Sequence, residues 1–277
     1  MNVHIILPTT GPQPMLRDML ASLAKWTPPC HLVTVLNTKE DWRRAAIRPL
    51  LECLIDNGWQ STLVDVHEQI GYVRACNQGW RNIEPEPNDT VVVCNDDLTV
   101  TGEWIPPMLG ALYEGSLLVG PSMKTVGGDG LWGGEDDPPY IEGWLFGIRA
   151  ATIRAASRDE DWLFDPIFMP QLCEDMDLSL RIGLLDRKQI PWLTVPTVMP
   201  DVPYLRSVSI PIQHERSATI GKDREPYWTE NRRKLVDKWN LGSGGRIVVA
   251  DREAQWDIEN APLTKKDALS CGWIHIP

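Results

Sequence analysis

The chain has 277 residues, 43% hydrophobic and 23% charged, the composition of an ordinary globular protein with room for one large α/β domain or two small ones. Its 27 basic and 38 acidic residues give a formal net charge of −11, which disfavours broad contact with phosphate backbones or anionic membranes. The six cysteines are scattered without a CxxC pair, so no zinc site is implied, and no apolar run approaches the length of a signal peptide or membrane span. These features predict a cytoplasmic protein with no integral membrane segment.

"VHIIL" (Val3–Leu7) is a buried strand closed by Pro8-Thr9-Thr10-Gly11. A helix follows, with Met15, Leu16, Met19, Leu20 and Leu23 on one stripe. His31–Asn37 is a second strand. Trp42, Ala45, Ala46, Leu50, Cys53 and Leu54 trace another helix, which Pro49 should kink or break. "STLVDVH" is a third strand, Tyr72–Asn82 a helix, and "TVVVCNDD" the fourth strand. This β-α-β-α-β-α-β alternation predicts a mainly parallel sheet with helices on both faces and ligands at its C-terminal edge.

The second half is less regular. A helix over "WIPPMLGALYEG" and a short strand "SLLVG" precede a Gly-rich segment, Val126–Pro139, expected to be a mobile loop. "YIEGWLFGIRAATI" returns to strand and helix. "CEDMDLSLRIGLL" is a helix with Leu172, Met176, Leu180 and Leu184 on one buried stripe. A last helix, "YWTENRRKLVDKWN", is followed by a strand-like "GRIVVA". The expected division is one domain over 1–241, in two halves, 1–100 and 101–241, with 242–277 as an extension packed on it.

Four segments can carry chemistry. Asn95-Asp96-Asp97 ends an apolar strand; two carboxylates there supply hard oxygen ligands for Mg²⁺ or Mn²⁺, or simply make a polar turn. Gly71 opens a helix after the third strand and lets a ligand approach the backbone, with Arg74 and Asn77 able to face the same cleft and Arg74 to meet a diphosphate. Glu174 and Asp175 begin a helix, where the macrodipole favours the ionised carboxylate that a general base requires. Asp177 and Arg181, four apart, pair with each other. His214 ends a strand before a polar loop, as a metal ligand or a half-exposed strand-end histidine.

In order and spacing, these pieces resemble the inverting, nucleotide-sugar-dependent glycosyltransferases of family 2, with the GT-A fold. The resemblance runs from Val3 to Trp239. It rests on the Pro-Thr strand end, the Gly71 turn with its following Asn, the D-X-D-like Asn95–Asp97, "WLFDPIFMP", the Glu-Asp-X-Asp helix start, His214 and the closing helix. It implies that Asp97 and His214 bind Mn²⁺ or Mg²⁺, that Asp96 lies beside the donor ribose and diphosphate, and that Asp175 is the base with Glu174 beside it. Thr9, Asn37, Gly71 and Arg74 match donor positions. Asn95 stands where many members carry Asp, and Gln69 where Asn is usual.

The implied reaction moves a hexose-type sugar from a UDP- or dTDP-sugar to an acceptor hydroxyl on a glycan, lipid-linked sugar, protein or modified nucleobase, with inversion. Of the 13 tryptophans, Trp144 and Trp132 lie nearest the expected cleft, where indole faces can stack on sugars. A sugar-nucleotide nucleotidyltransferase would carry a Gly-rich basic loop after the first strand, which "PTTGPQPMLRDM" lacks. A non-catalytic carbohydrate-binding protein on the same fold would not need Asp97, Asp175 and His214 together.

Overall fold

A computed structural model describes residues 2–241, apart from 12–13, 128–129, 131–132, 134–136, 158–159, 184, 186–202, 216–224 and 240. Trp132, half of the Gly-rich segment and everything after Leu241, including "GRIVVA", lie outside the described residues.

The first half alternates as expected: β1 (Val3–Thr9), α1 (Pro14–Trp26), β2 (His31–Leu36), α2 (Asp41–Asp56), β3 (Gln60–Asp65), α3 (Tyr72–Arg81) and β4 (Thr90–Cys94). Then come β5 (Leu98–Val100), α4 (Ile105–Tyr113), β6 (Leu118–Gly120), β7 (Met123–Thr125), β8 (Pro139–Ile141), β9 (Leu145–Arg149) and α5 (Ala150–Ser157). A 3-10 turn (Pro166–Phe168), α6 (Glu174–Gly183), β10 (Leu205–Ser207), β11 (Ile212–His214) and α7 (Glu225–Trp239) complete the described chain.

Seven strands form one sheet in the order β10-β6-β9-β4-β1-β2-β3. Only β9 runs antiparallel to its neighbours, β4 and β6. Period-two alternation sends Ile5, Leu7, Val92 and Cys94 into one core with Leu16, Met19 and Leu23, while Ile6, Val91 and Val93 enter the other with Val73, Trp80 and Leu178. Both faces of the sheet are therefore covered, which suits the near-continuous apolar strands. β1 runs on through Pro8 to Thr9, but its pairing with β4 stops at Ile6. Proline, lacking a donor, fits there because that side of the strand has no ladder partner.

Two helices differ from expectation. α2 is continuous through Pro49, whose exposed position leaves the unpaired carbonyl one turn back facing water. Its buried stripe is Ile47, Leu51 and Leu54, so Trp42 is 60% exposed and Ala45, Ala46 and Cys53 face outward. α6 has no single apolar stripe. It is buried from Met176 through Gly183 because it runs beneath the sheet with α5 and α7 around it, and Leu172 precedes the helix.

At the sheet's opposite end a polar chain crosses three strands. Asp89 accepts from His4 Nε2 at 3.4 Å, His4 Nδ1 meets His31 Nδ1 at 3.0 Å, and His31 Nε2 meets Thr62 Oγ1 at 2.9 Å. The Nδ1–Nδ1 contact holds one proton, so both rings cannot be charged at once. Burial, then the charge of His4, lowers the His31 pKa. A depressed folded pKa gives stability that is complete above the unfolded value of about 6.5 and is lost as pH falls through the folded one. His31→Gln should flatten the fall in melting temperature between about pH 7.5 and 5.5. A fall as steep as in the parent would remove His31 from the acid response.

Candidate active site

A cleft of about 420 Å³ opens at the C-terminal edge of the sheet. Strand ends supply part of its lining: Thr9 at the end of β1, Asn37 after β2, and Asn95, Asp96 and Asp97 after β4. Glu142, Gly143 and Trp144, between β8 and β9, and Glu174 and Asp175, at the start of α6, supply the rest of its acidic lining. His214 closes one end.

The acidic turn is tightly held. Thr9 Oγ1 donates to Asp96 Oδ2 at 2.7 Å and accepts from the Gly11 amide at 3.1 Å. Burial raises the Asp96 pKa to about 6, against the opposing Thr9 hydrogen bond. Asp97 meets His214 because β5 and β11 form an antiparallel ladder with His214 opposite Leu98, closed by the Glu215 amide on the Asp97 carbonyl at 3.1 Å. His214 Nε2 then lies 3.3 Å from Asp97 Oδ1, a buried oxygen that accepts no hydrogen bond. A carboxylate oxygen left unsatisfied beside an imidazole nitrogen suits a divalent cation. Among the described residues no third His, Cys, Asp or Glu joins them. Mg²⁺-type sites commonly take one or two protein ligands and leave the other positions to phosphates and water.

Asp175 faces the cleft from the first turn of α6. Its Oδ2 accepts from the Gly143 amide at 2.9 Å and its Oδ1 from the Met176 amide at 2.8 Å. Burial raises its pKa to about 6; those two amides oppose the shift and the Glu142 charge adds to it. A carboxylate poised there is well matched to proton abstraction near neutrality. Leu172 and Cys173, just before the helix, hold φ of 80° and 68°. Left-handed backbone at non-glycine residues costs about 1–3 kcal/mol each and persists where surrounding contacts impose it. Here Asn231 of α7 donates to the carbonyls of Phe168 and Gln171, both at 2.7 Å.

Of the other expected site residues, Gly71, Asn37 and Trp144 line the cleft, while Arg74 and Asn77 do not. Gly71 lines the cleft with φ +82°, and a Cβ there would come within 2.5 Å of Pro170 Cβ, so its glycine is required by packing as well as by access. Asn37 Oδ1 accepts from the Ile70 amide at 2.5 Å and so braces the loop leading to Gly71. Asn77 does not line the cleft: it is buried, accepting from the Leu163 and Phe164 amides at 2.9 Å and donating to the Phe164 carbonyl at 2.8 Å. Arg74 is exposed on α3 and does not line the cleft. Trp144 lines the cleft, but one indole face stacks on His214 with centroids 4.4 Å apart and planes 15° apart. Sequence reasoning missed Glu142 and Lys124, which no motif marks and which only the β7–β8 hairpin brings to the cleft.

An open, mostly parallel sheet with an acidic cleft at its strand ends belongs to the GT-A class of α/β transferases. Within that class the chain belongs to glycosyl transferase family 2, whose family pattern matches residues 4–163. No curated protein sequence matches significantly. Among solved structures the chain is similar to GalNAc-T7 with UDP, GalNAc and Mn²⁺, at 12% identity and a TM-score of 0.54, a likeness of fold. It covers 66% of this chain but only 40% of that longer one. Looser matches are the mannosyltransferase PcManGT from Pyrobaculum calidifontis with GDP-Man and Mn²⁺ (16% identity, 94% and 76% of the two chains, TM-score 0.48) and S. aureus TarS residues 1–349 (14%, 65% and 55%, 0.44).

Proposed function

We propose that the protein transfers a hexose-type sugar from a UDP- or dTDP-sugar to an acceptor hydroxyl with inversion, using Asp175 as the base and Asp97 with His214 as ligands for Mn²⁺ or Mg²⁺. The charge of the cleft carries this reading. Five carboxylates line it (Asp96, Asp97, Glu142, Glu174 and Asp175), and Lys124 is the one Lys or Arg among the described lining residues. A nucleoside diphosphate would meet net repulsion in such a site. Asp97 and His214 would hold a divalent cation, which would supply the missing positive charge beside the diphosphate.

On this reading the chain's own groups do the following. Thr9 orients Asp96 toward the donor. The Gly143 and Met176 amides hold the Asp175 carboxylate in place. Asp175 takes the acceptor proton as the hydroxyl attacks the anomeric carbon from the side opposite the leaving group. That single displacement inverts configuration and requires no enzyme nucleophile.

Calorimetric titration with UDP and dTDP, with and without Mn²⁺, tests the donor site. Metal-dependent binding is expected, weakened at least about tenfold in Asp97→Ala. Failure of both nucleotides to bind with metal present would refute the UDP/dTDP assignment. Binding that ignores both Mn²⁺ and Asp97 would refute the cation.

A further inference from the structure

We propose that Trp144 is a positioning residue that orients the His214 imidazole for cation binding; this rests on the metal-site reading above. The strand that carries His214 is three residues long and pairs with β5 alone among the described strands. The ladder places its Cα but leaves its side-chain torsions free. A metal-binding histidine is ordinarily fixed by a hydrogen bond from its second ring nitrogen to a carboxylate or carbonyl. Among the described residues no hydrogen bond of that kind holds His214. The near-parallel Trp144 indole, 4.4 Å between centroids, lies against it instead. Stacking sets the plane of the imidazole, and with it the line from Nε2 toward Asp97 Oδ1.

The indole is itself anchored. Its Nε1 donates to Glu142 Oε2 at 3.3 Å. The same carboxylate accepts from the Ser122 hydroxyl and lies 3.9 Å from Lys124 Nζ. The Trp144 carbonyl accepts from the Asn95 amide at 2.9 Å, at the start of the acidic turn. One residue therefore braces the carboxylate side of the site through its backbone and the imidazole side through its ring. Its geometry accounts for a tryptophan at this position without a sugar contact.

The test is a Mn²⁺ titration of the full chain, free metal being read by electron paramagnetic resonance, with Mn²⁺ alone and with UDP. Trp144→Leu should raise the Mn²⁺ dissociation constant about tenfold, while Trp144→Phe, which keeps a flat ring, should stay within about threefold of the parent. Melting temperatures close to the parent's would exclude a merely structural cause. Should Trp144→Leu fail to fold, Glu142→Ala removes the acceptor of the indole N–H, together with the contacts to Ser122 and Lys124, and should weaken Mn²⁺ about threefold. Unchanged Mn²⁺ affinity in these variants, with Asp97→Ala and His214→Ala both weakened, would overturn the positioning role. Mn²⁺ affinity unmoved by Asp97→Ala and His214→Ala would overturn the metal site itself.

Discussion

Asp175→Asn is expected to lower the rate of sugar transfer about 10²–10⁴-fold while donor binding persists. The substitution keeps the shape of the side chain and removes the group proposed to take the proton. In the parent, the rate should climb with pH up to about 6 and then level, because burial has raised the Asp175 pKa to that value and only the ionised form acts as base. Transfer to water serves as the assay where no acceptor is at hand, since water must also lose a proton. Full activity in the variant would move the base to another carboxylate of the cleft. A variant that also loses donor binding would show that Asp175 shapes the donor site.

Asp177→Ala should be among the most damaging substitutions to the fold, costing about 3–5 kcal/mol. Asp177 is fully buried, with Arg181 Nε at 2.9 Å, Lys238 Nζ at 2.7 Å and the Trp239 indole donating at 2.9 Å. Burial opposes its charge, yet Lys238 and Arg181 hold its pKa below the ordinary carboxylate range. Alanine would leave the Arg181 guanidinium buried without a carboxylate and the half-buried Lys238 with Asp165 alone, at 2.7 Å. Urea denaturation should show the loss at neutral pH, and the difference from the parent should shrink in acid. A depressed carboxylate pKa gives stability present above the unfolded value of about 3.9 and lost as pH falls through the folded one. A variant as stable as the parent would mean that the bonds Arg181 already makes to the Ala156 carbonyl and Lys238 to Asp165 suffice without Asp177.

The sheet was legible because its strands are short apolar runs bounded by turn residues, and the helices between them announce themselves by period. The acidic turn and His214 were legible as motif pieces, although only the β5–β11 ladder shows why they meet. Asn77 and Trp144 were less legible for the opposite reason. An amide or an indole near a cleft can serve ligand or scaffold equally, and the choice depends on partners 87 and 70 residues away, Phe164 and His214. Asp177 pairs with Arg181 as its spacing predicts, while Lys238 and Trp239 come from a distant helix that no local pattern connects to it. Glu142 carries no motif signal at all.

The last described helix has a consequence for how the protein comes into being. The left-handed segment ahead of Asp175 is gripped by Asn231, and the helix bearing Asp175 is moored through Asp177 to Lys238 and Trp239. Those anchors are translated some sixty residues after the groups they hold, with separations of 60 to 63 residues for the hydrogen bonds. The strands and turns that carry Thr9, Asn37 and Asp96 are complete far earlier. A nascent chain can thus assemble that part of the cleft well before the helix bearing Asp175 is locked, and the cleft is complete only once Asn231, Lys238 and Trp239 have been made.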